Sequence, residues 1–326
     1  MKIAFVGKGG SGKTTLASLF ARYLAARGLP VLAIDADSNQ HLGVALGLSE
    51  EQAASTPTLG DHLNDIKDYL RGDNPRIRSA AAMVKTTPPG AGSRLVSVVD
   101  PNPIYDQLSR SVDGVRLLMA GMFTEGELGV ACYHSKVGAV ELLLNHMVDG
   151  PAEYVVVDMT AGADSFASGM FTRFDRTFLV AEPTRQSVSV YRQYRYYASD
   201  YGVAISVVGN KVHGQDDISY LREHVGDDLL VCVEHSGFVR AMEQGRPLPL
   251  DALEGANQTA LERMRETVDA TAKDWRKFGQ QMVEFHIRNA LAWGNAKAGE
   301  DLTAQIDPDF AIGPDLLKAA AGQALA

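Results

Sequence analysis

The chain has 326 residues, 45% apolar and 22% charged, and its 31 Lys+Arg against 40 Asp+Glu leave a net charge of −9. That length can bury a sizeable core in one large domain or two small ones, and the acidity argues against a general nucleic-acid binder. Two cysteines, Cys132 and Cys232, argue against a disulfide framework, and the apolar start MKIAFVG is too short for a signal peptide. No run approaches the roughly 20 apolar residues that span a bilayer, so a cytoplasmic protein without a transmembrane segment is expected.

Taken in chain order, short apolar runs alternate with longer helical patterns through the first 250 residues. Strands are expected at 2–6, 30–34, 94–98, 115–119, 153–157, 176–181, 203–208 and 229–233. Several are continuous β-branched runs, the pattern of parallel strands buried on both faces. Helices are expected at 14–27, 136–148, 186–199, 215–224 and 236–243. The alternation predicts an α/β fold: a doubly wound, mostly parallel sheet of about seven or eight strands with helices on both faces. Residues 49–93 break the rhythm and carry TTPPGAG, so they are read as an insertion. From about 257 the strands stop and amphipathic helical patterns follow. The expected division is therefore a P-loop ATPase domain over 1–256 and a helical C-terminal extension over 257–326.

The stretch GKGGSGKTT, residues 7–15, follows a strand and opens a helix, the context a phosphate loop requires. Glycines let successive backbone N–H groups turn inward on an anion, and the helix N-terminus adds its positive end. Gly9, Gly10, Ser11, Gly12, Lys13, Thr14 and Thr15 form the candidate ATP cradle. Lys13 would neutralise the β- and γ-phosphates, and Thr14 would offer its hydroxyl to Mg²⁺. Asp35 and Asp37 end the second expected strand, and Asp158 ends the apolar run VVVDMTAG, followed by Gly162. Such strand ends lie at the sheet edge where ligands of α/β folds bind. Asp35 and Asp158 join Thr14 as candidate Mg²⁺ residues, and Gly162 as a hinge near the γ-phosphate. Asn210 and Lys211, in VVGNKV, are placed to meet the nucleotide base, although Asn after a strand is also a common turn residue.

These motifs resemble the deviant-Walker-A ATPases, which include the MinD and ParA proteins, the nitrogenase iron protein and the nickel-insertion ATPases of carbon monoxide dehydrogenase maturation. The resemblance covers about residues 1–250. It is nearest to the maturation ATPases, whose pattern recurs at 7–15, 35–39, 158–162, 182–183, 208–211 and 245–248. It implies slow, Mg²⁺-dependent ATP hydrolysis by a homodimer that closes on ATP. Within it Lys8 reaches the partner's phosphates, Lys13 and Lys8 stabilise the transferring phosphoryl group, Asp37 positions the attacking water, and 159–167 form a second switch. The implied partner is a client protein, a metalloenzyme for the maturation ATPases. A partition or positioning ATPase, or a nucleotide-gated scaffold with little turnover, is the alternative.

One departure matters. The maturation ATPases carry Cys-x-Cys before a helix, where this chain has Cys132-Tyr-His134. The second cluster cysteine of the iron protein is absent from GADSFASGMF, which argues against a four-cysteine cluster across the dimer. Cys132 and His134 supply two ligands. A two-fold dimer would double them to the tetrahedral set of Zn²⁺, or a site for Ni²⁺; the alternative is a small buried Cys beside a surface His. Tyr191, Tyr194, Tyr197 and Tyr201 fall on one helical stripe, read as packing rather than nucleic-acid stacking. VEFHIRNALAW is likewise read as packing against the domain or a partner.

Overall fold

The structure is a computed structural model. It describes residues 1–121, 134–160, 166 and 169–316, excluding the side chains of residues 134 and 135. The strands are β1 (Lys2–Gly7), β2 (Val31–Ala36), β3 (Arg110–Val112), β4 (Val115–Met119), β5 (Tyr154–Met159), β6 (Arg176–Ala181), β7 (Ile205–Val212) and β8 (Leu229–Glu234). They form one eight-stranded sheet in the order β3-β4-β2-β5-β1-β6-β7-β8. β3 runs antiparallel to β4, and the other pairs are parallel. The main helices are α1 (Lys13–Ala25), α2 (Leu42–Leu46), α3 (Glu50–Ala54), α4 (Leu63–Arg71), α5 (Pro103–Leu108), α6 (His134–Asn145), α7 (Arg185–Ala198), α8 (Gln215–Val225), α9 (Gly237–Glu243), α10 (Gly255–Asp269) and α11 (Trp275–Asn289).

β1, β2 and β5 are buried at every position, as their unbroken apolar runs require. Successive side chains leave a strand on opposite faces. Ile3 and Phe5 therefore join α1 and α10, through Phe20, Leu261 and Met264, while Ala4 and Val6 join α4, α6 and α7. The first face carries an aromatic triad, with Phe5, Phe20 and Phe178 ring centroids 5.3 to 5.9 Å apart. β1 sits between β5 and β6, the point where the winding reverses. That reversal leaves a crevice at the carboxyl ends of the strands.

Two local expectations differ from the structure. Residues 94–98 do not form a ladder; Val96 makes one bridge to Met147, and Val96 and Val98 pack among the helices of the α4/α6 layer. The place beside β4 is taken instead by β3, joined to it through Asp113 and Gly114. Both turn residues have positive φ, 50° and 77°, the geometry of a tight hairpin turn. The Asp-Gly pair was the signal for this hairpin. β7 also runs further than its apolar pattern, carrying Asn210 and Lys211 within the strand.

The C-terminal helices divide between the two layers. α10 packs on β8 and fills the α1 face with Leu261, Met264 and Val268. The segment after α11 fastens onto residues 82–91. Thr87 Oγ1 donates to Gln305 Oε1 at 3.0 Å, Gln305 Nε2 to the Ala82 carbonyl at 3.0 Å, and the Ala91 amide to Asp307 at 3.0 Å. The His286 ring bridges Thr86 Oγ1 and the Leu302 carbonyl. At the amino edge of the sheet, buried Asp149 meets Lys2 at 3.0 Å, Lys273 at 2.6 Å and the amine of Met1 at 2.6 Å. Burial works against its charge, but these three cations hold the Asp149 carboxyl well below the usual carboxylate range. Among the described residues no helix is long and apolar enough to cross a membrane.

His146, at the end of α6, is fully buried, and its Nδ1 faces the Leu142 carbonyl at 3.0 Å. Burial pushes its pKa down from 6.5 to about 4. The unfolded chain therefore binds the proton first as pH falls. Stability is intact above pH 6.5 and declines between 6.5 and about 4, by up to about 3 kcal/mol. Urea unfolding at several pH values should show this loss in the wild type and a flatter profile in His146→Leu; equal slopes would refute it.

Candidate nucleotide site

The phosphate loop joins β1 to α1. Gly7 has no room for a side chain, because a Cβ would lie 2.6 Å from the Val180 carbonyl. Gly10 and Gly12 have φ of 81° and 91°, values that glycine adopts without strain. A Cβ on Gly12 would also stand 2.2 Å from Asn210 Nδ2. Gly12 precedes α1 and offers no side chain to cap it, and the first turn of α1 contains no acidic residue. Its leading N–H groups and the positive helix end are left for an anion.

Around that loop the strand ends deliver charge. Lys13 Nζ lies 2.5 Å from Asp37 Oδ2, and Asp37 Oδ1 accepts from the Asn39 amide at 3.0 Å. Burial opposes ionisation of Asp37, but Lys13 and the Asn39 amide prevail and lower its pKa. Thr14 Oγ1 donates to Asp158 Oδ2 at 2.6 Å. Asp35 and Asp158 are register partners on β2 and β5 and are both fully buried. Asp35 accepts from the Leu42 amide at 2.8 Å and the Asp37 amide at 3.3 Å, so it caps α2 and shapes the turn after β2. Asp158 Oδ1 has no hydrogen-bond partner among the described residues. Burial, then the neighbouring carboxylate, raises the Asp35 pKa well above its usual range. Burial also pushes Asp158 up to about 6, against the pull of Lys13 and Thr14. A cavity of about 260 Å³ opens here, lined among others by Gly7, Lys8, Gly9, Lys13, Asp37 and Asn39.

The donor set fits a magnesium nucleotide. Asp158 presents a buried carboxylate oxygen with no partner among the described residues, beside a hydroxyl, and its buried neighbour Asp35 on the adjacent strand makes its charge favourable only with a cation near. Most sequence candidates converge: Lys8 through Thr15 form the loop and first helical turn, and Asp35, Asp37 and Asp158 lie at adjacent strand ends. Asn210 is buried, and its Nδ2 donates to the Ser11 carbonyl at 2.7 Å. Lys211, at φ 56°, donates to the Gly10 carbonyl at 2.7 Å. Both side chains therefore brace the loop. Gly162 and Cys132 lie outside the described residues, as does the side chain of His134. Glu182, Val190 and Gln193 had no assigned role in the sequence reading. Glu182 binds Lys211 at 2.8 Å, and the other two line the cavity from α7.

The family model of the CobQ/CobB/MinD/ParA nucleotide binding domain matches residues 3–290. The chain belongs to this family. It is a P-loop ATPase of the MinD/ParA class. An uncharacterized ATP-binding protein of Methanocaldococcus jannaschii is 30% identical over 77% of this chain and 92% of its own length. The carbon monoxide dehydrogenase accessory protein CooC of Rhodospirillum rubrum is 28% identical over 75% of this chain and 87% of its own. The septum site-determining protein MinD of Pyrococcus horikoshii, solved with Mg-ADP, superposes with a TM-score of 0.56 at 18% identity, covering 84% of this chain and all of that one.

Gly12→Ala tests the cradle. The variant forces a side chain against Asn210 at a backbone angle that disfavours it, so nucleotide affinity should fall at least about tenfold, roughly 1.4 kcal/mol. Calorimetry with Mg-ADP, with circular dichroism to confirm folding, checks it; unchanged affinity in a folded variant would refute the cradle.

Proposed function

We propose that the chain is a homodimeric ATP-driven switch that assists the assembly of a metallocentre in a client protein. The observation carrying the dimer is Lys8. Lys13 already supplies the loop's phosphate lysine and is held at 2.5 Å by Asp37. Lys8 lines the same cavity yet remains one-third exposed and faces outward to Glu182. A single chain assigns it no phosphate, whereas two chains facing each other across their cavities would.

The residues divide the work. The α1 amides and Lys13 bind the phosphates. Thr14 and Asp158 would hold Mg²⁺, which supplies charge neutralisation at the transferring group. An arriving phosphate competes for Lys13, and Asp37, once released, becomes the acceptor that orients the attacking water. Lys8 from the partner stabilises charge on the transferring phosphoryl group, in the way an arginine finger does. Lys8→Ala should therefore retain ATP binding within about twofold, while turnover falls by about 10³, the scale of a finger contributed in trans. Single-turnover hydrolysis with parallel binding measurements checks this; normal turnover would remove the dimer from the mechanism.

The likeness to an accessory protein of carbon monoxide dehydrogenase supports a metallocentre client. Cys132 and His134, immediately before and at the start of α6, are the chain's own candidates for handling the metal. Paired across a two-fold axis they would form a Cys₂His₂ set for Zn²⁺ or Ni²⁺. Metal analysis of the purified dimer should find about one ion per two chains by that stoichiometry, lost in Cys132→Ala. Metal content indifferent to that substitution would remove this part of the reading.

A further inference from the structure

Three ammonium groups converge on the mouth of the phosphate loop, and two carboxylates answer them. Asp37 takes Lys13. Glu182, just beyond the carboxyl end of β6, takes the other two: its Oε1 accepts from Lys211 Nζ at 2.8 Å, and its Oε2 lies 3.7 Å from Lys8 Nζ. The two contacts differ in kind. Lys211 Nζ also donates to the Gly10 carbonyl, so it is pinned twice, and its backbone adopts φ 56° at a bulge in β7. The Lys8 contact is too long for a hydrogen bond, and Lys8 stays one-third exposed. Glu182 thus holds Lys211 firmly and Lys8 loosely.

We infer that Glu182 is a positioning residue that parks Lys8 within its own chain and so sets how readily the ATP-bound chains close on each other. This rests on the reading of Lys8 as a residue that reaches the partner's nucleotide. On closing, Lys8 exchanges one anion for another: the Glu182 carboxylate beside it for the phosphates held by the partner. The equilibrium depends on the difference between these two attractions, and the first opposes closure. Glu182→Gln removes the competing charge, while its amide oxygen can still accept from Lys211. Closure should become easier, not harder. An exposed ion pair of this kind shifts an equilibrium about two- to five-fold. A two-fold dimer contains it twice, so the combined effect is about four- to twenty-five-fold.

The test uses the full chain and the non-hydrolysable analogue AMPPNP with Mg²⁺. Sedimentation across a protein dilution series reads the dimer dissociation constant for wild type, Glu182→Gln and Glu182→Asp, and calorimetry reads ADP affinity. The expected result is a dimer constant about four- to twenty-five-fold lower in Glu182→Gln, with Glu182→Asp within about twofold of wild type and ADP affinity within about threefold throughout. An unchanged or weaker Glu182→Gln dimer overturns the inference while leaving the dimer itself standing. So does a loss of ADP affinity that tracks the dimer constant, because Glu182 would then act through Lys211 and the loop. A wild-type chain that stays monomeric with the analogue overturns the dimer reading and this inference together.

Discussion

The ion pair between Lys13 and Asp37 governs the nucleotide site. Lys13 begins α1, where the positive helix end and the unpaired leading amides would repel an ammonium group. Its charge is nearly buried, and an unpaired buried charge is strongly destabilising. Asp37 provides the counter-charge, and Asp35 holds the turn that aims it by accepting the Asp37 amide. A phosphate is the natural competitor for Lys13. Binding and the proposed catalysis would thereby share one contact: the anion that takes Lys13 would free the carboxylate proposed to orient the water.

The same sheet edge carries a second electrostatic strain. Asp35 and Asp158 face each other in register, fully buried, with both pKa values raised. Such an arrangement is unfavourable without a proton or a cation, and perturbed carboxyls of this sort cluster where chemistry occurs. The amino edge of the sheet is built the opposite way. There Asp149 is satisfied by three cations, and Lys2 and Lys273 also lie over the Trp275 ring. One edge is anchored and the other is left reactive, a division that parallel strands make natural because all their carboxyl ends lie together.

Residues 82–91 and the segment from α11 onward, remote in sequence, are joined by hydrogen bonds through Thr86, Thr87, His286, Gln305 and Asp307. α11 also reaches residues 169–173. Phe285 packs so closely on Gly169 that a Cβ there would lie 2.6 Å from its ring, and Arg173, fully buried, donates to the Phe278 carbonyl at 3.4 Å. Phe171 meets Tyr201 and Phe285 edge to face, and those two rings also touch each other. Of the tyrosine stripe, Tyr191 and Tyr194 are buried and Tyr197 is exposed, and the rings of both Tyr194 and Tyr197 meet Phe166.

Parts whose chemistry is local are legible in the order of residues alone. A phosphate loop needs glycines, a lysine and a helix start within a few residues, and GKGGSGKTT contains them all in order. The central strands were legible because burial on both faces demands an unbroken apolar run, and Asp35, Asp37 and Asp158 were legible as carboxylates ending such runs. Residues 94–98 were misread because an apolar run looks the same whether it joins a sheet or lies among helices. Contacts between residues far apart in the chain come from the fold: Asn210 and Lys211 bracing the loop, Glu182 between two lysines, and Asp149 gathering three cations. These side chains are ordinary in their local sequence. Their roles arise from the strand order, which brings distant chain segments together at one edge of the sheet or the other.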